Sequence, residues 1–88
     1  MNLKRETLEL DNVRHTYELD KTRIDKIKIT ADAVQHETVL SNVKSFDEIS
    51  ISLINIAKMF PHRHVVCKCR LDRNKVLTID VHPMSGAA

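Results

Sequence analysis

The sequence predicts an α+β domain: an antiparallel sheet of about five strands packed on one capped α-helix and ending in a β-hairpin. Three patterns predict it. Apolar residues recur at helical spacing over residues 46–60, between a serine and a proline. Apolar and polar residues alternate over 64–71 and again over 77–82, with a turn between. Shorter alternating runs precede the helix and read as further strands.

The elements follow in chain order. Thr7 to Leu10 and Val13 to Leu19 read as strands around an Asp11-Asn12 turn, with Val13, His15, Tyr17 and Leu19 on one face. Asp20 to Arg23 is a second turn, and Ile24 to Thr30 a strand with Ile27 and Ile29 two apart. Residues 31–43 fit two periods. Val34, His36, Thr38 and Leu40 alternate as in a strand, while Ala33, Glu37, Leu40 and Val43 would make a helical stripe. The strand is the preferred reading.

The helix over 46–60 starts from Ser45 as N-cap. Glu48 stands three residues on, the spacing of a capping box in which hydroxyl and carboxylate exchange bonds with each other's amides. Phe46, Ile49, Leu53, Ile56, Ala57 and Phe60 form the buried stripe, and Pro61 stops the helix. In the hairpin, Val65, Cys67, Cys69 and Leu71 face one way, and Val66, Lys68 and Arg70 the other. Asp72-Arg73-Asn74-Lys75 turns the chain, and Leu77, Ile79 and Val81 return on the apolar face.

Eighty-eight residues bury about 64% of their unfolded surface, enough for one core, so residues 1–83 form a single domain and 84–88, beyond Pro83, a disordered tail. Aromatic residues make up only 3% of the chain, so Ile, Leu and Val must build that core. No apolar run reaches the length of a membrane span and no leader pattern stands at Met1, so a cytoplasmic setting with reduced cysteines is expected and no membrane partner.

Charge is uneven. The net charge is +2, but the segment from His62 to Lys75 holds Arg63, Lys68, Arg70, Arg73 and Lys75 against Asp72 alone. Lys68 and Arg70 leave one strand face and Arg73 and Lys75 occupy the turn, so these four, with His62 and His64, are the candidates for binding an anion or phosphate. The competing reading is a solvated face neutralised across the strands by Asp80. No aromatic is interleaved with the cations to stack bases.

His62, His64, Cys67 and Cys69 invite a zinc reading, but strand parity sends the cysteines to one face and the histidines to the other, so the cysteines are expected in the core and no metal is expected. A single glycine, Gly86, excludes phosphate loops, dinucleotide fingerprints and nucleophile elbows, so no catalysis and no cofactor are expected.

The helix is apolar over more of its circumference than one sheet can cover, because Ile51, Ile54 and Met59 widen the stripe. These three are the candidates for contact with a partner protein or a second copy in a homo-oligomer, most simply a dimer. The expected function is therefore a small non-catalytic binding or regulatory module acting through protein–protein contacts. The alternative is nucleic-acid or nucleotide binding through the cationic C-terminal hairpin. The size and the missing catalytic pattern would suit an accessory protein of a phage, plasmid or bacterium.

Overall fold

The computed structural model describes residues 10–60 and 64–84. It is an α+β domain in which two helices cover one face of a four-stranded mixed sheet. The elements run α1 (Leu10–Asp20), β1 (Lys26–Ala31), β2 (His36–Ser41), α2 (Phe46–Ala57), β3 (Val65–Leu71) and β4 (Val76–Pro83). Short 3-10 turns at Lys21–Arg23 and Asp32–Val34 connect α1 to β1 and β1 to β2.

Three expectations are corrected. First, Val13 to Leu19 is not a strand but most of α1. The residues it buries are Leu10, Val13 and Tyr17, spaced as one helical stripe, while Leu19, which strand parity would bury, is 70% exposed. The alternation of Val13, His15, Tyr17 and Leu19 therefore coincided with a helical stripe and lost to it. Thr7 to Glu9 lie outside the described residues. Second, the sheet has four strands rather than five and is not wholly antiparallel. Its order is β2-β1-β4-β3, and β1 runs parallel to β4, from Lys26 opposite Val76 to Thr30 opposite Asp80. Third, two helices, not one, pack against it.

The cap of α2 also differs from a capping box. The Ser45 hydroxyl makes no cap bond. Glu48 instead reaches one residue further back, accepting from the Lys44 amide at 2.8 Å. At the other end α2 stops at Ala57, and the amides of Met59 and Phe60 bond three residues back, which tightens the last turn. Phe60 is still buried.

The strand reading of 31–43 holds for His36–Ser41, entered through Gln35 in the left-handed region at φ 51°. In the hairpin, Lys68 stands opposite Asp80 and Arg70 opposite Thr78. Asp72 shapes its turn by accepting from the amides of Asn74 (2.8 Å) and Val76 (3.2 Å). Met84, assigned to the tail from sequence, still donates its amide to the His64 carbonyl at 2.9 Å; residues 85–88 lie outside the described residues.

The core lies between the helices and the sheet. Ile27, Ile29, Leu77, Ile79, Val81, Val65 and Cys67 meet Val13, Tyr17, Ile49, Leu53 and Ile56. Tyr17 and Phe46 join the helices at a ring separation of 6.2 Å, and the Arg14 guanidinium lies 4.7 Å from the centre of the Phe46 ring. All of this is on one side of the sheet.

Candidate functional site

Strand alternation sends every second side chain to the face away from the helices. Lys26, Lys28 and Thr30 of β1 stand there, with Glu37 and Val39 of β2, Thr78, Asp80 and His82 of β4, and Val66, Lys68 and Arg70 of β3. Register orders these into rows. One row reads Val39, Lys28, Thr78, Arg70, and the next Glu37, Thr30, Asp80, Lys68. Lys28 and Arg70 are thus two strands apart, about 10 Å, while Lys68 and Arg70 are about 7 Å apart along one strand.

Both side chains expected to project from the hairpin do so: Lys68 and Arg70 are exposed on the outer face. Arg73 and Lys75 are exposed in the turn, with Lys75 in the left-handed region at φ 65°. His64 is half-buried just before β3, and its carbonyl is used by Met84. His62 lies outside the described residues.

Reading by local sequence missed two cations. The carbonyl of Lys75 accepts from the amides of Asp25 (2.8 Å) and Lys26 (3.3 Å), which brings the hairpin turn beside the start of β1. Lys26 and Lys28 therefore join Arg70, Arg73 and Lys75 at one end of the open face. Their signal was present, since both alternate with the buried Ile27 and Ile29. What local sequence lacked was the parallel pairing that carries them to the hairpin.

The anions on this face are partly committed. Glu37 lies 3.6 Å from Lys28. Asp80 stands opposite Lys68 as the expected neutralising partner, but its carboxylate accepts from the Thr30 hydroxyl instead. Among the described residues, Lys68, Arg70, Arg73 and Lys75 take part in no ion pair.

The partner-contact candidates on and after α2 behave differently from one another. Ile51 is 61% exposed and Met59 is exposed, but Ile54 packs against the core. The apolar surface is thus narrower than the helical wheel suggested.

Cys67 is buried, and Cys69 is half-buried against α1. Burial pushes the Cys69 thiol above its ordinary value, and a hydrogen bond with Thr16 offsets part of this, so the thiol is protonated at neutral pH. Among the described residues, no three His, Cys, Asp or Glu side chains are grouped to hold a metal, and no helix is long and apolar enough to cross a membrane. One cleft of about 130 Å³ is lined by Tyr17, Lys21, Ile24 and Asn42, and another of about 150 Å³ by Thr30, Asp32, Asp80 and His82. Both are well below the roughly 300 Å³ at which small-molecule pockets begin.

No family model, curated protein or solved structure matches this chain.

Proposed function

We propose that this chain is a non-catalytic binding module that docks the phosphate backbone of a nucleic acid along the open face of its sheet. The observation that carries the reading is the parallel register of β1 on β4. It lines Lys28 up with Arg70 across the face and sets Lys26 beside the turn that holds Arg73 and Lys75. Six cations, counting Lys68, then share one surface, on which Lys68 and Arg70 stand about 7 Å apart, close to the step between successive phosphates along a strand. An arginine fork and several lysine point charges suit phosphate oxygens.

The chemistry also sets the kind of nucleic acid. Tyr17, Phe46 and Phe60 are all buried, so no aromatic platform is offered to unstacked bases. Binding rests on charge, is indifferent to sequence, and favours duplex over single strands because duplex carries the denser charge. The rival reading, docking of a partner protein on α2, is weakened by the packing of the half-buried Ile54 against the core, which leaves Ile51 and Met59 as the exposed candidates.

Titration of labelled duplex and single-stranded oligonucleotides at several salt concentrations tests this. With four to six phosphates neutralised, log K should fall against log salt with a slope of about −4 to −5. Lys28→Ala combined with Arg70→Ala should weaken binding and lower that slope by about 2 without loss of fold, since exposed cations contribute little to stability. No binding at low salt, or an unchanged slope in the double variant, would remove the proposal and return the lead to protein contacts.

A further inference from the structure

The two edges of the sheet are treated differently. In the β3–β4 ladder, Met84 donates to His64 and Asp72 donates to Val76, so the even-numbered residues of β3 exchange bonds with β4. Cys67, an odd-numbered residue, therefore turns its carbonyl off the outer edge. There the Asn12 side chain from α1 donates to it at 2.7 Å. Helix α1 thus blocks the β3 edge with a hydrogen bond.

Among the described residues, the β2 edge has no such cover. The Lys26 amide bonds the carbonyl of Lys75, so the even-numbered residues of β1 serve β4 and the odd-numbered ones serve β2. Ile27, Ile29 and Ala31 hold Leu40, Thr38 and His36. Glu37, Val39 and Ser41 are left with amides and carbonyls directed outward, and no described residue pairs with them. Among the described residues none of the usual guards stands on this edge: β2 contains no lysine, proline or bulge, and its one charge, Glu37, is drawn to Lys28 of the neighbouring strand.

We propose that β2 pairs antiparallel with β2 of a second copy about a two-fold axis at Val39, joining two sheets into one of eight strands. The strand is self-complementary in this register. Val39, 54% exposed, meets its own copy. Glu37 meets Ser41 of the second copy, a carboxylate opposite a hydroxyl, and on the helix side Thr38 meets Leu40. A register centred on Glu37 would set two carboxylates face to face. An axis perpendicular to the sheet keeps all four helices on one side and leaves both cationic faces together on the other. Pairing of the two β2 edges does not depend on that face binding nucleic acid.

Sedimentation equilibrium of the full chain should give about 20 kDa, twice the chain mass of 10.1 kDa. Amide exchange at Glu37, Val39 and Ser41 should slow as protein concentration rises. Val39→Lys should raise the dimer dissociation constant at least tenfold while circular dichroism is unchanged. Val39→Pro removes an amide that serves no bond among the described residues and should give a folded monomer; if it unfolds, Val39→Lys decides. A monomer at millimolar concentration, or a dimer untouched by Val39→Lys, overturns the proposal. So does protection of these amides that does not vary with concentration, because another segment of the same chain would then occupy the edge.

Discussion

Glu48, rather than Ser45, satisfies a free amide at the start of α2, and the difference is measurable. Ser45 was identified from sequence because hydroxyl residues are preferred at that position. Its extended backbone suits the role, but its hydroxyl makes no cap bond. Ser45→Ala should therefore change stability by less than about 0.5 kcal/mol. Glu48→Ala removes both the bond to the Lys44 amide and a negative charge from the first helical turn, and should cost about 1 kcal/mol in denaturant unfolding. The reverse order of costs would mean that the box closes in solution through Ser45. At this scale the residue types at the cap were legible in the sequence. The particular amide that Glu48 reaches depends on the path of the chain through Val43 and Lys44, which no residue type specifies.

At the scale of elements, legibility followed the length and regularity of each pattern. Helix α2, its buried stripe and both strands of the terminal hairpin were readable because each pattern fits a single period, helical over 46–60 and alternating over 64–71 and 77–82. Helix α1 was not, because Val13, His15, Tyr17 and Leu19 satisfy a strand period while Leu10, Val13 and Tyr17 satisfy a helical one. Contact with β3 and α2 decides between them. Two leucines in the same helix test the outcome. Leu10→Ala should cost about 2–5 kcal/mol by opening a cavity in the core. Leu19→Ala, at an exposed position, should stay within about 0.5 kcal/mol. Equal costs for the two, read from urea midpoints, would restore the strand.

For the molecule as a whole, the pairing that matters most joins the most distant strands. The parallel register of β1 on β4 brings together residues 50 apart in the chain, such as Lys26 and Val76. No local pattern encodes a contact of that range, so the cationic hairpin could be read from sequence while Lys26 and Lys28, its neighbours across the sheet, could not. Val76–Pro83 supplies Leu77, Ile79 and Val81 to the middle of the core and completes the sheet. A chain ending at Leu71 should consequently lose cooperative unfolding altogether, seen as a flat thermal trace by circular dichroism. A sharp transition in that truncated chain would mean that β1, β2 and the helices suffice. Synthesis gives the same geometry a temporal meaning. At about 5–20 residues per second, the 50 residues between partners take about 3–10 s to emerge. For that interval β1 waits beside the exit of the ribosome with one side bare, and a chaperone or a neighbouring nascent chain can reach it before its own last strand does.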